Sequence, residues 1–212
     1  MRLRERLRAA RRDDGFTLVE LLATVSIMGF VVVGLTGVVI SYFKTTVDTQ
    51  SRMTESQDVQ FAAAYWQRDV ASIGVRSYDP ATKDFVLQQS VGVTPACALP
   101  SGTTVATLAW NELTSNDSTD NGQTVTVSYV ATGGGSPYEL VRVRCTGSTI
   151  KSTVEVAHSL NALPTLTCDP GPCTGSGNAV PTLVNLALSI RDPEGNGTAA
   201  LTATLTGERR QT

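Results

Sequence analysis

One apolar segment near the N-terminus most constrains the fold of this chain. Between Phe16 and Phe43 the sequence contains a single ionisable residue, Glu20, and the 23 residues that follow Glu20 carry no charge. An α-helix needs about 20 such residues to cross the hydrocarbon core of a bilayer. The segment is apolar on every side rather than along one stripe, which argues against a core helix of a soluble domain. We therefore predict a transmembrane helix over residues 16–43.

The charges on either side of this segment predict its orientation. Six arginines and three acidic residues lie within residues 1–15, whereas only Lys44 and Arg52 follow the span closely. Because positive charge is retained on the cytoplasmic side, we expect the N-terminus inside and residues 75–212 outside. A secretory signal peptide is the alternative, but its apolar core runs only about 7 to 15 residues and ends at a small-residue cleavage site. This segment is longer and lacks that site.

The rest of the chain is acidic. After residue 15, the other 197 residues include 11 basic and 16 acidic ones, which gives a net charge of −5. This balance excludes a globally basic nucleic-acid-binding protein.

All four cysteines follow the membrane segment, on the side predicted to be oxidising, where disulfides persist. Four cysteines permit three pairings. The turn-forming Asp-Pro-Gly-Pro between Cys168 and Cys173 brings these two together, so we predict that pair, and with it a pair of Cys97 with Cys145. A zinc site is the alternative, which we disfavour because 48 positions separate Cys97 from Cys145 and His158 is the only histidine.

Residues 44–74 continue the helix. They contain no proline and no internal glycine, so nothing ends the helix before Gly74. The first half is polar nearly all round. The second half carries an apolar stripe at spacings of three and four residues: Val59, Ala62, Trp66, Val70 and Ile73. We predict an amphipathic helix whose stripe packs on a partner surface.

Residues 75–212 are rich in Thr, Gly, Ser, Val and Pro, which favours strands and turns. The alternation of apolar and polar residues predicts two β-hairpins. The first joins the strands QTVTVSYV and YELVRVRC through a loop at 133–137, and the second joins Val184–Ile190 to Leu201–Leu205. In the first hairpin, Val125, Val127 and Tyr129 alternate on one strand, and Val141, Val143 and Cys145 alternate on the other. Adding weaker strands at 84–89 and 104–110, we expect an antiparallel sheet of about four to six strands with one covered face, which the helix covers.

The N-terminal motif then suggests a family. The octapeptide Gly15-Phe16-Thr17-Leu18-Val19-Glu20-Leu21-Leu22, after a basic leader and at the start of an apolar helix, resembles the cleavage and methylation motif of type IV prepilins and type II secretion pseudopilins. The resemblance implies an α+β, type IV pilin-like fold. In that fold a long N-terminal helix, with a membrane half and an amphipathic half, packs on an antiparallel β-sheet that has a C-terminal disulfide loop.

By this resemblance, prepilin peptidase cuts between Gly15 and Phe16, which removes the leader 1–15, and the new amine of Phe16 is N-methylated. Burying Glu20 in lipid would cost about 2.5 to 3.5 kcal/mol, so this carboxylate needs a partner. The amine of Phe16 in a neighbouring helix supplies one, which implies a role in assembly. The alternatives are pairing with the amine of its own chain and a first-turn position that the helix dipole favours.

The resemblance implies a structural subunit of a type IV pilus or of a type II secretion or competence pseudopilus. Its partners would be prepilin peptidase, other major and minor pilins or pseudopilins, an assembly platform membrane protein and membrane lipid. Gly37 stands where many major pilins have proline, and this difference, together with the size of the outer domain and the stretch 59–74, favours a minor subunit. We expect a single-pass inner-membrane protein that later joins a pilus, a pseudopilus or the cell surface. The alternative is a permanently anchored extracellular binding or adhesin domain that does not polymerise.

We expect neither enzymatic activity nor a cofactor. No nucleophile, base and orienting group can be placed together, and the chain lacks a phosphate-binding loop. Two oxygen-rich loops, 116–122 and 192–197, lack the spacing of a calcium loop, so solvated turns are the main hypothesis there and calcium is the alternative. Binding of nucleic acid is expected only if the chain serves a DNA-uptake system.

Overall fold

The computed structural model describes residues 15–113, 122–192 and 199–210. These residues form a single α-helix, α1 (Leu18–Ser72), a 3-10 turn (Gly177–Ala179) and nine strands. The strands are β1 (Arg76–Asp79), β2 (Asp84–Leu87), β3 (Thr103–Glu112), β4 (Gln123–Thr132), β5 (Tyr138–Thr146), β6 (Thr149–Leu160), β7 (Thr165–Asp169), β8 (Leu183–Ile190) and β9 (Leu201–Glu208). The chain divides into two compact units, one ending at Thr46 and the other beginning at Val47.

In the first unit, α1 is the one helix of the described residues that is long and apolar enough to cross a membrane. Three of its hydroxyl groups, on Thr24, Ser26 and Thr36, are satisfied within the helix. Thr24 donates to the carbonyl of Leu21, and Ser26 donates to the carbonyl of Leu22. Because these hydroxyls need no outside partner, the segment can enter an apolar environment without leaving them unpaired.

The second unit is built on an antiparallel sheet with the strand order β3-β4-β5-β6-β8-β7, and β9 pairs with β8. Strand β6 meets β8 only at Leu160 and Ile190, and β7 pairs with β8 further along, from Thr165 to Asp169. Strands β1 and β2 form a separate two-stranded sheet. Both predicted hairpins are present, as β4–β5 and β8–β9.

The apolar stripe of α1 packs on this sheet, as predicted. Ala62, Trp66, Val70 and Ile73 are fully buried, and Val59 packs against the same core. The indole N–H of Trp66 donates to the carbonyl of Val184 at 3.1 Å, which joins the helix to β8. The helix and the sheet therefore share one hydrophobic core.

The helix ends at Ser72, two residues before the predicted stop at Gly74. Gly74 has φ of +152°, a conformation that favours glycine, and its N–H donates to the carbonyl of Ala109 on β3 at 3.1 Å. The chain therefore leaves the helix and immediately lines the edge of the sheet.

The sheet has more strands than the four to six predicted from alternation. The longest strand that the sequence did not predict is β6, in which only Val156, Ala157 and Leu160 are buried. Irregular pairing with β5 also disrupts its two-residue period. The short strands β1 and β7 offer too few residues for alternation to be recognised.

The prediction of one covered face was wrong, because both faces of the central sheet are covered. Val125, Val127 and Tyr129 belong to the core under α1. On β5, by contrast, Val143 and Cys145 form a second cluster with Cys97, against which Leu99 and Val141 also pack. The register pairs Tyr129 with Arg142, so the arginines of β5, and not its valines, share the helix-facing side.

Candidate functional site

The N-terminal motif lies at the start of α1. The hydroxyl of Thr17 accepts the N–H of Glu20 at 3.2 Å, and the carbonyl of Thr17 accepts the N–H of Leu21 at 3.1 Å. Threonine is a favoured residue at this capping position because its oxygen satisfies a backbone donor that the helix leaves unpaired. The capping threonine therefore starts the helix at Leu18, inside the motif.

The predicted cleavage bond lies outside the helix. Gly15 and Phe16 precede the capping residue, both are exposed, and the Phe16 side chain has 81% of its surface exposed. A side chain added at Gly15 would meet nothing within 4 Å. The bond predicted to be cleaved therefore lies in accessible, non-helical chain.

Glu20 lies in the first turn of α1 and is exposed. Within the described residues its carboxylate has no side-chain partner. Its position is consistent with the predicted effect of the helix dipole, which favours a carboxylate near the N-terminus. Its role in pairing with the amine of a neighbouring helix stays a prediction.

The apolar side chains that follow Glu20 are not covered by any of the residues that the structure describes. Every large apolar side chain from Leu21 to Phe43 has at least 49% of its surface exposed. An exposed apolar surface of this extent marks a site of membrane or protein contact. The helix is thus suited to membrane anchoring.

A second group of buried polar residues was missed by the sequence analysis. The half of α1 that seemed polar all round buries two carboxylates, Glu55 and Asp58. Glu55 accepts the N–H of Asp192 at 3.0 Å, and Asp58 accepts the N–H of His158 at 2.7 Å. These residues continue the apolar stripe at the same spacings, and that periodicity is the signal that could have found them.

A third buried carboxylate, Asp69, joins α1 to two strands. It accepts two hydrogen bonds from the guanidinium of Arg142, and a third from the Tyr129 hydroxyl at 2.8 Å. Burial, reinforced by Asp69, raises the pKa of Tyr129 well above its ordinary value, so the phenol stays a donor. Burial alone would lower the pKa of Arg142, but its bonds to Asp69 raise it. The arrangement holds a charged pair inside the interface of the helix and the sheet.

Both predicted disulfides are present in the structure. Cys97 pairs with Cys145 at a Cα–Cα distance of 6.2 Å, and Cys168 pairs with Cys173 at 5.2 Å. All four cysteines are used, so none is left as a thiolate ligand for zinc. Within the described residues, no group of three His, Cys, Asp or Glu side chains is arranged to hold a metal ion.

Some predicted features lie outside the described residues. These are residues 1–14 of the leader, residues 116–121 of the first oxygen-rich loop and residues 193–197 of the second. The calcium hypothesis for those loops stays a prediction.

Comparison with known proteins agrees with the N-terminal motif. The model of the family described as the prokaryotic N-terminal methylation motif matches residues 10–36, a range that includes Gly15, Phe16 and Glu20. Comparison with curated proteins and with solved structures gives no match. The chain therefore carries the N-terminal signature of the type IV pilins and pseudopilins, on a pilin-like α+β fold with a disulfide near the C-terminus.

Proposed function

We propose that this chain is a minor structural subunit of a type IV pilus or of a type II secretion or competence pseudopilus. The methylation motif at residues 10–36 is the observation that carries the proposal. Two observations support it: the bond between Gly15 and Phe16 lies in accessible chain, and the apolar half of α1 is exposed among the described residues.

Processing changes the charge at the start of the helix. Hydrolysis breaks the amide bond between Gly15 and Phe16, removes the arginine-rich leader and creates a positive amine on Phe16. This amine lies four residues from Glu20 in sequence, so the amine of one helix can pair with the Glu20 of its neighbour. Such a pair would offset the cost of placing each charge in an apolar bundle.

Assembly would then cover the exposed helix. In the membrane, lipid contacts its apolar side chains, and in a filament the helices of other subunits replace the lipid. Gly29, Gly34 and Gly37 have open space where a side chain would be, which permits close approach of another helix. Membrane insertion with the leader in the cytoplasm is part of the same proposal.

The mature N-terminus tests the processing step. The full chain is expressed in cells that have an active prepilin peptidase, and its N-terminal peptide is analysed by mass spectrometry. We expect N-methylated Phe16, and we expect Gly15→Val to keep Met1 because a branched side chain blocks the cut. Gly29→Val, a matched change inside the span, should still be cleaved. An intact Met1 in the wild type would instead favour the anchored domain that does not polymerise.

Glu20 tests the assembly step. We expect Glu20→Ala to enter the membrane fraction normally but to be depleted from sheared filaments, because a neighbouring amine loses its partner. Glu208→Ala, which removes an exposed carboxylate from β9, serves as the control and should assemble normally. Wild-type levels of Glu20→Ala in filaments would contradict the proposed pairing.

A further inference from the structure

A polar cleft of about 430 Å³ lies between the last turns of α1 and the strands β3, β5 and β6. Three arginines line it, one from the helix and two from β5: Arg68, Arg142 and Arg144. Among the described residues, two carboxylates share this lining, Asp69 and Glu112. The cleft therefore has one positive charge in excess.

Both carboxylates are already engaged. Asp69 binds Arg142 in two hydrogen bonds and also accepts the Tyr129 hydroxyl. One oxygen of Glu112 accepts Nη2 of Arg144 at 2.6 Å and the indole N–H of Trp110 at 3.3 Å. These contacts use only part of the donor capacity of the arginines, because each guanidinium carries five N–H groups.

Arg68 is the least satisfied of the three arginines. The nearest carboxylate oxygen, on Asp69, lies 3.8 Å from its Nε, which is beyond hydrogen-bond distance. Its guanidinium lies 4.9 Å from the centre of the Tyr65 ring, which fixes its position by a cation–π contact. Its side chain has 63% of its surface exposed, so a ligand in the cleft can reach it.

The surroundings argue against sugars and nucleic acids as ligands. The Tyr65 ring already has two guanidiniums over it, at 4.9 and 5.0 Å, and only 8% of Trp110 is exposed. A sugar or a base would have to compete with these guanidiniums for the Tyr65 ring, and Trp110 is nearly buried, so both rings are poorly placed for stacking. A phosphate backbone also needs an extended basic track, whereas the chain after residue 15 has a net charge of −5.

The same surroundings suit a protein partner. Tyrosine, tryptophan and arginine are the residues that carry most binding energy at protein interfaces. Phe61, half exposed and 5.1 Å from the Tyr65 ring, extends the aromatic surface outward from the cleft. Guanidinium groups bind carboxylates through paired N–H donors.

We propose that this cleft receives an aspartate or glutamate side chain of a partner protein, held by Arg68 and Arg144. The site does not involve the N-terminal motif. Its loss should leave cleavage and methylation at Phe16 unchanged, so a failure of this proposal is distinguishable from a failure of the proposed function.

Matched tetrapeptides test the site on the full chain in detergent micelles. The probes are acetyl-Gly-Glu-Leu-Gly-amide, its glutamine counterpart and inorganic phosphate, and the readout is the NMR shift of the Trp110 indole and of the arginine Nε–H groups. We expect saturable shifts with the glutamate peptide, and binding about tenfold weaker with the glutamine peptide because the charge is lost. Equal binding of both peptides, or tighter binding of phosphate, would overturn the assignment to a carboxylate.

Two variants locate the binding. Arg68→Gln should weaken the binding of the glutamate peptide about tenfold, and it should fold normally because its side chain is largely exposed. Lys151→Gln removes one positive charge from β6 at an exposed position next to the cleft residue Ser152, but Lys151 itself does not line the cleft. This control should bind as the wild type does. Equal weakening in both variants would show a general charge effect and overturn the proposal.

Discussion

Asp69 on α1 and Arg142 on β5 form a paired contact across the interface of the helix and the sheet. Nε and Nη2 of Arg142 lie 2.6 and 2.8 Å from the two carboxylate oxygens, and each side chain is only 2% exposed. Removing one member of a buried pair leaves the other charge without a partner in a medium that solvates it poorly. The pair therefore makes the docking of α1 specific to one position on the sheet.

Asp69→Asn should lower the free energy of unfolding by about 3 to 5 kcal/mol, because it leaves the Arg142 charge buried and uncompensated. Urea unfolding of the full chain in detergent, followed by tryptophan fluorescence, measures this loss. Glu139 is an exposed carboxylate on the same strand as Arg142 and serves as the control. Glu139→Gln should change the free energy of unfolding by less than about 0.5 kcal/mol. The double variant Asp69→Leu with Arg142→Met should be more stable than Asp69→Asn. Equal stability of Asp69→Asn and the wild type would contradict the assigned role.

His158 should make stability depend on pH. Its Nδ1 lies 3.0 Å from Asp58, and its Nε2 makes an ion-pair contact with Glu155 at 3.3 Å. The hydrogen bond to Asp58, with the charges of Asp58, Glu155 and Glu139, raises the pKa of His158 above its ordinary 6.5. Because the folded pKa is the higher one, this stabilisation is complete below about pH 6.5 and is lost as the pH rises through the folded pKa.

An NMR titration checks this directly, because His158 is the only histidine in the sequence. We expect the pKa of the His158 ring to lie above 6.5. We also expect the stability of His158→Gln not to fall with rising pH between about pH 6 and 8 as that of the wild type does. A measured pKa at or below 6.5 would refute the role of Asp58.

Gly207 on β9 packs directly against Val70 of α1. A Cβ at this position would lie 2.5 Å from the Cβ of Val70, a residue that is fully buried. We expect Gly207→Ala to destabilise the fold by about 1 to 3 kcal/mol, because the helix must move away. The neighbouring exposed position gives a control, since Thr206→Ala should have little effect in the same urea unfolding experiment. If the two variants were equally stable, the packing of α1 on β9 would not be as tight as described.

The two disulfides should differ in their effect on stability. The Cys97–Cys145 bridge closes a loop with a sequence separation of 48, whereas Cys168–Cys173 closes one of only 5. Loop-closure entropy then predicts a loss of about 4 kcal/mol when Cys97 and Cys145 are both changed to serine, and of about 2 kcal/mol for the other pair. Thermal unfolding of the two double variants would show the difference, and a larger loss for the short loop would contradict this explanation.

Much of the fold follows from local patterns in the sequence. The uncharged segment after Glu20, the absence of helix breakers before Gly74 and the stripe that contains Trp66 together predict α1. The alternation of Val184–Ile190 predicts β8, and the tetrapeptide between Cys168 and Cys173 predicts their pairing. The helix and the strand are determined locally, because side chains that recur about every 3.6 residues in a helix, or every 2 residues in a strand, lie on the same face.

The methylation motif is equally local, because a peptidase recognises a short stretch of chain. The sequence alone predicts the cleavage bond, the new amine of Phe16 and the role of the Glu20 carboxylate. The structure adds the capping of α1 by Thr17, which leaves the bond between Gly15 and Phe16 outside the helix.

Only the tertiary structure decided which charged side chains are buried. In YELVRVRC the alternation suggests valines inside and arginines outside, yet the register of β5 with β4 places Arg142 under the helix. The valines instead face a second cluster that the Cys97–Cys145 bridge brings to the back of the sheet. Likewise, Glu55, Asp58 and Asp69 are polar by sequence but buried in the fold. A single sequence cannot show this, because a buried charge is tolerated only where distant residues supply its partners, and those residues meet only when the chain has folded.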